Sequence, residues 1–190
     1  MREDVEEIGQ SFPTAAQLVD TRQQVSVAQD FKLSMRNLAA SVCVVTSRMG
    51  GQAFGFTATS VVSLSVETPT LLVSVNRSSS SWPAVRSSGR FAVNILSTTH
   101  FDIAETFAGR RGLKGQDRYI DERWQRDGER VPHLKDALAV IDCEVEEVIE
   151  RYTHAILIGR VTAVTSGTTD RPLVYWQGRY NHLSDRQTGH

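Results

Sequence analysis

The sequence predicts a mainly β protein, an antiparallel barrel with a few short helices. Three observations point to it. Apolar, β-branched runs recur along the chain and are joined by hairpin-length turns. The connections do not have the strand–helix–strand rhythm of a parallel sheet. No G-x-G-x-x-G turn follows a strand, which argues against a doubly wound dinucleotide fold. The count is about six or seven strands and two or three short helices.

Residues 1–26 are rich in Glu, Gln, Asp and Thr and read as an N-terminal arm placed to pack on a partner subunit. Residues 27–190 form the folded domain. Val27, Phe31, Leu33, Met35, Leu38 and Ala39 give residues 27–40 the spacing of a helix with one imperfect apolar side. Residues 41–47 (SVCVVTS) read as a strand, and Met49-Gly50-Gly51-Gln52 as a hairpin turn. Residues 53–65 read as one long strand bent at Gly55. Glu67-Thr68-Pro69 turns the chain into a buried strand over 70–75. Residues 82–88 suit a short helix stopped by Gly89, with Pro83 at its first turn. A strand follows over 91–96, then a helix over 101–108 with Phe101, Ala104, Phe107 and Ala108 on one side. Residues 109–116 are basic and glycine-rich, as in a mobile loop. Over 138–149, Val140, Asp142, Glu144 and Glu146 point one way, while Ile141, Cys143, Val145 and Glu147 point the other. Residues 154–164 are apolar on both faces, as in a central strand. Residues 173–183 are read as closing the sheet.

Composition bounds the function. A chain of 190 residues with 40% hydrophobic and 23% charged residues fits one globular domain. A net charge of -1 gives no electrostatic case for nucleic acid or an acidic membrane surface. No apolar run reaches the roughly 18 residues of a membrane span, and the first residues are unlike a signal peptide, so a cytoplasmic protein is expected. Cys43 and Cys143 sit in separate apolar stretches and read as buried thiols; neither has metal-ligand neighbours, so no metal site is expected.

Two clusters of short hydroxyl residues stand out. Thr57-Ala58-Thr59-Ser60 follows an apolar strand, where backbone N–H groups and hydroxyls suit a phosphate or the polar edge of a flat ring. Asn76-Arg77-Ser78-Ser79-Ser80-Ser81 follows a second strand, with Arg77 available to an anion and a helix starting at Trp82. Each cluster also has a plain reading, as β-forming residues and as a polar loop capped by Ser81. His154 opens an apolar strand, where a lone histidine is commonly structural. Tyr175, Trp176 and Tyr180 suit either core packing or the flank of a ring. Asp117-Arg118-Tyr119, after the basic loop, reads either as a solvated run ending on a packing Tyr or as a loop ordered beside a phosphate-bearing ligand.

The ordered series GFTATS, a Pro turn, LLVSVNRSSSSW, GRFAVNIL, DIAETFA, DRY, HAILIGRV and PLVYWQGRY resembles the flavin reductase-like domain family. These are the small reductase components of two-component flavin-dependent monooxygenases, such as that of 4-hydroxyphenylacetate 3-monooxygenase. The resemblance runs from about residue 31 to 183. It implies an FMN-binding split barrel of Greek-key type, assembled as a homodimer with flavin near the interface. It implies hydride transfer from NADH or NADPH to FMN or FAD, and a transient oxygenase component as partner. It places Thr57, Ala58, Thr59 and Ser60 along the isoalloxazine and ribityl. Asn76, Arg77, Ser78 and Ser81 fall at the ribityl and phosphate, and Phe107 on the helix beside the flavin. His154 falls on the nicotinamide side, as the catalytic candidate, and Tyr180 near the same pocket. The chain departs from the family at Tyr152-Thr153, where Gly-Asp is common, and at Tyr119, where Phe is common. Other readings are a non-catalytic flavin- or haem-binding split barrel, an amine oxidase like the pyridoxamine phosphate enzymes, a flavin-mediated reductase of a corrinoid or metal complex, and an all-β interaction module.

Overall fold

A computed structural model describes residues 26–120, 122–128, 130–167 and 171–184. The arm expected over 1–26 lies outside these residues except for Ser26. The chain divides into two compact units, one ending at Leu38 and the other starting at Ala39. In the first, residues 26–35 form helix α1, which exposes Val27, Phe31, Leu33 and Met35. The helix stops earlier than its apolar spacing predicts. The N–H groups of Arg36, Asn37 and Leu38 bond three residues back, to Leu33, Ser34 and Met35, which tightens the last turn and ends the α pattern.

The second unit is mainly antiparallel β structure. Its strands are β1 (Ala40–Ser41), β2 (Cys43–Met49), β3 (Gln52–Ala58), β4 (Val61–Ser65), β5 (Thr70–Asn76) and β6 (Arg90–Ile95). They continue with β7 (Trp124–Gln125), β8 (His133–Leu134), β9 (Ala139–Arg151), β10 (His154–Ser166), β11 (Leu173–Trp176) and β12 (Arg179–His182). Helix α2 (Trp82–Ser88) lies between β5 and β6, and α3 (Phe101–Phe107) follows β6. Short 3₁₀ turns cover Thr98–His100 and Gly115–Tyr119.

Seven strands form one sheet in the order β3-β2-β6-β9-β10-β5-β4. The long strand expected over 53–65 is two strands, β3 and β4, at opposite edges of this sheet. Only Thr59-Ser60 separates them, so the two edges must approach each other there. The physical cause is a change of partner: β3 pairs with β2 through Ala58, whereas Val61 already pairs with Val73 of β5. The segment 173–183 does not close the main sheet. Gln177 (φ 49°) and Gly178 (φ 79°) are both left-handed, which makes a tight hairpin of β11 and β12. That hairpin forms a separate three-stranded sheet with β1.

The small sheet is hooked to the large one by three backbone bonds: Val42 N–H to Leu173 O at 2.9 Å, Leu173 N–H to Leu96 O at 2.9 Å, and Leu96 N–H to Val42 O at 3.0 Å. Strand β2 and the preceding Val42 are apolar on both faces and feed two cores. Val42 and Val44 join Leu96, Ile103, Phe107, Tyr119, Trp124 and Leu173, while Cys43 and Val45 join Val73, Val75, Trp82, Phe91, Cys143 and Leu157. Gly89, in the left-handed region at φ 63°, ends α2 as expected. Ser81 does not cap α2 through its side chain. No described helix is long and apolar enough to cross a membrane.

Candidate functional site

Strand β5 runs out at Asn76, whose register partner on β10 is His154. Beyond Asn76 the chain makes two short turns. Asn76 Oδ1 accepts from the Ser78 N–H (2.9 Å) and hydroxyl (2.8 Å), and Ser79 Oγ accepts from the Ser81 N–H (3.2 Å). Such local bonds are why Asn and Ser favour loops over strands. They use the Asn76 Oδ1 and, among the described residues, leave its amide NH₂ available to donate to a ligand.

Opposite this loop is the β9–β10 hairpin, whose linking residues are Tyr152 and Thr153. Tyr152 stands at φ 50°, a left-handed conformation that costs an L side chain about 1–2 kcal/mol. Arg77 clamps this turn. Its backbone N–H donates to Thr153 O (2.9 Å), Nη1 to Tyr152 O (3.1 Å), and Nη2 meets Glu150 at 2.7 Å. Thus the charge that the sequence assigns to a phosphate is already met by Glu150, which sequence reasoning did not select. Thr153 Oγ1 lies 2.9 Å from His154 Nδ1, so the exposed ring is steadied at one nitrogen and presents Nε2. Asn76, Arg77, Ser78, Trp82 and Thr153 line a cavity of about 500 Å³.

The first hydroxyl cluster reaches the same end of β5. Ser60 Oγ donates to Ser74 O (3.1 Å), and Ser74 N–H donates to Ser60 O (3.3 Å). Thr59 and Ser60 are exposed; the Ala58 side chain is in the core. Thr57 Oγ1 donates to Ala104 O at 2.7 Å and ties β3 to α3. The structure therefore joins Ser60, Asn76, Arg77, Ser78 and His154 around the end of β5.

Ser81, Phe107 and Tyr180 are placed elsewhere. Phe107 is 3% exposed and lies in an aromatic cluster, 5.0 Å from Tyr119 and 5.1 Å from Trp124 between ring centroids. Tyr180 packs edge-on to Phe101 and Tyr175, each at 5.3 Å, with Arg110 over its ring. Burial, and then the nearby Glu105, push its hydroxyl up to about 12. Ser81 is 1% exposed, and its hydroxyl has no hydrogen-bond partner among the described residues. It lines a second cavity with Gly55, Lys114 and Arg118. The one signal for Lys114 in the sequence is the basic 110–115 loop. Among the described residues no cluster of three metal-ligating side chains occurs.

An orphaned buried hydroxyl, a serine-lined loop and a free Asn amide fit a ligand that is polar along a chain and carries phosphate, as a flavin nucleotide does. The sequence accords: residues 35–184 match the flavin reductase like domain, and the chain belongs to that family. It is 34% identical over 160 residues to the FMN reductase (NADH) RutF of Cronobacter sakazakii, spanning 84% of this chain and 95% of that protein. It is 33% identical over 155 residues to RutF of Escherichia coli, spanning 82% and 93%. The solved flavin reductase PheA2 in its native state superposes with a TM-score of 0.74 at 30% identity, covering 83% of this chain and 98% of that one. A flavin reductase domain protein from Arthrobacter superposes at 0.76 and 30% identity, covering 83% and 96%.

Proposed function

We propose that this chain is an NADH-dependent flavin reductase that passes reduced flavin to a separate oxygenase component. The observation that carries the reading is the corner at the end of β5. There the Asn76–Ser78 loop and Thr153 of the β9–β10 hairpin line one cavity, with His154 the register partner of Asn76 and Ser60 bonded to Ser74 two residues before it.

Bound FMN or FAD supplies the hydride-accepting N5, and NADH the donor carbon of its nicotinamide; the hard chemistry belongs to the nucleotides. The chain's own task is to hold two flat rings face to face. Such proximity contributes on the order of 7–11 kcal/mol in favourable intramolecular cases. Residues 57–60 would hold the ring and ribityl, and the backbone N–H groups of Thr59 and Ser60, beyond the β2–β3 ladder that takes up Ala58, would be the donors to negative charge there. Asn76 would donate to the ribityl through its amide NH₂, and Ser78, whose N–H and hydroxyl are both given to Asn76 Oδ1, would accept from it. Arg77 is the clamp that keeps the His154 hairpin against the loop. His154 orients the carboxamide through Nε2 and need not move a proton.

Further points support the family's assembly. The two-residue step from one sheet edge to the other favours a curled sheet, the split barrel of the resemblance. Val62, Leu72 and Ile158 lie in register across β4, β5 and β10 and, with Ile156, give the outer face an apolar patch. Burying that patch against a second copy makes the homodimer. The protein works in the cytoplasm beside its oxygenase.

The test is to mix the protein anaerobically with NADH and either FMN or FAD and follow the flavin's visible absorbance. Bleaching is expected; its absence with NADH and NADPH alike refutes the reading. His154→Ala is expected to raise the NADH concentration required while leaving flavin affinity unchanged.

A further inference from the structure

The β9–β10 hairpin turns on two residues, Tyr152 and Thr153, with Arg151 and His154 paired on either side. Of the two, only Tyr152 is left-handed, at φ 50°. In two-residue hairpins of that pattern the first place favours glycine, which adopts it without strain. This chain has tyrosine where the family commonly has glycine. The Tyr152 side chain is 94% exposed, so packing does not offset the strain. A single exposed aromatic is ordinary on a protein surface. One that is held in a strained turn beside a ligand cavity points to use.

Arg77 fixes where this ring is rooted. Its Nη1 donates to Tyr152 O (3.1 Å) and its backbone N–H to Thr153 O (2.9 Å). Arg77 and Thr153 both line the cavity of about 500 Å³ beyond β5, so the Tyr152 backbone stands at its rim. His154, two residues on, is the register partner of Asn76 in the same cavity wall.

The rim has little charge to spare. The Glu150 carboxylate meets Arg77 at 2.7 Å and Arg86 at 3.4 Å, and Arg86 also lies over the Trp82 ring. The other lining groups besides Trp82, which are Asn76, Ser78 and Thr153, are polar but neutral. What this corner offers a ligand is therefore hydrogen bonds and flat apolar surface. A tyrosine ring supplies such surface and fixes only two side-chain torsions when it does.

We propose that Tyr152 is a stacking plate for the purine ring of a dinucleotide seated at this rim. Adenine is flat and uncharged, and stacking on an aromatic ring needs no ion pair. A mononucleotide of flavin or nicotinamide has no purine and gains nothing from Tyr152, so the residue sets a preference for dinucleotide over mononucleotide ligands. That the dinucleotide is NADH or FAD rests on the flavin reductase reading.

The experiment is titration calorimetry of the full chain and its Tyr152→Gly, Tyr152→Phe and Tyr152→Leu variants. The nicotinamide pair is NAD⁺ and nicotinamide mononucleotide, titrated with FMN present, since the oxidised forms do not react. The flavin pair is FAD and FMN, and AMP is the probe for the purine alone. Tyr152→Gly is expected to weaken the purine-bearing ligand about tenfold and to leave its mononucleotide unchanged. Tyr152→Phe should keep the wild-type affinity. Tyr152→Leu, equally bulky and equally strained, should lose it, which separates the ring from the conformation of the turn. Loss confined to NAD⁺ against nicotinamide mononucleotide assigns the plate to the nicotinamide coenzyme, and loss confined to FAD against FMN assigns it to the flavin. Equal affinities of wild type and Tyr152→Gly for NAD⁺, FAD and AMP overturn the proposal, as does an equal loss for both members of a pair, or no binding of any of the three. Bleaching of flavin by NADH reports separately on the flavin reductase reading. If it fails, the stacking plate still stands where AMP binding depends on the Tyr152 ring, and falls where it does not.

Discussion

Replacing Tyr119 by Phe is expected to stabilise this protein, against the usual direction of such a change. The ring is 1% exposed and packs edge-on to Phe107 (5.0 Å, 75°) and Trp124 (5.1 Å, 71°). Phe keeps those contacts. The hydroxyl is buried without a hydrogen-bond partner, and burial pushes its pKa up. In the unfolded chain it is hydrated, so folding strips it of water for nothing in return, at a cost of about 1–3 kcal/mol. Deleting it also removes dispersion contacts of one atom, a few tenths of a kcal/mol. The net expectation is a gain of about 1 kcal/mol, or roughly 2–4 °C in Tm for a chain of this size. Urea denaturation of the flavin-free protein measures it, read as a shift in midpoint at constant slope. A loss of about 0.5 kcal/mol or more would refute the reasoning, because it would mean that the hydroxyl is satisfied. The same ring explains Gly55. A Cβ there would stand 2.6 Å from Tyr119 Oη and 2.8 Å from Phe107 Cε1. Gly55→Ala should therefore cost about 1–3 kcal/mol, and less in the Tyr119→Phe background, where one of the two clashes is gone.

Two other expectations concern the hairpin and the acid limb. Tyr152→Gly relieves a left-handed residue that is 94% exposed and should stabilise the fold by roughly 0.5–1 kcal/mol after the added chain entropy of glycine; a lowered Tm would show the turn unstrained. Burial works to raise the Asp102 pKa, but the hydrogen bond and charge of Arg123, 2.6 Å away, outweigh it and hold the group below the ordinary value of 3.8. A lowered folded pKa stabilises above the unfolded value and is lost as the pH falls through the folded one. Asp102→Asn should then cost less than about 1 kcal/mol at pH 7, since the pair is partly exposed, and the gap should close below about pH 4. A pH-independent gap in acid denaturation would exclude the ion pair as its source.

How much was legible follows from how local each signal is. The stop of α2 at Gly89 and the turn at Gly50-Gly51 depend on backbone conformations that few residues tolerate, and both stand where their glycines predict. The alternation of residues 139–145 likewise reports a strand between two environments. The break at Thr59-Ser60 was not legible, because Thr and Ser suit a strand interior as well as a link between strands. It is set by β5, distant in sequence, which takes Val61 as its partner. The hairpin of β11 and β12 was misplaced for a similar reason: its residues show a sheet but not which sheet.

By itself the sequence determined the class of the fold, the family, and the two hydroxyl clusters, since each is carried by consecutive residues and their short-range bonds. Only the tertiary structure decided how the site is divided. Register set His154 beside Asn76, and ion pairing turned Arg77 toward Glu150. Packing buried Phe107, and chain closure carried Lys114 to Ser81. Those outcomes depend on long-range contacts and on which opposite charge arrives first, and neither is written in the spacing of residues along a chain.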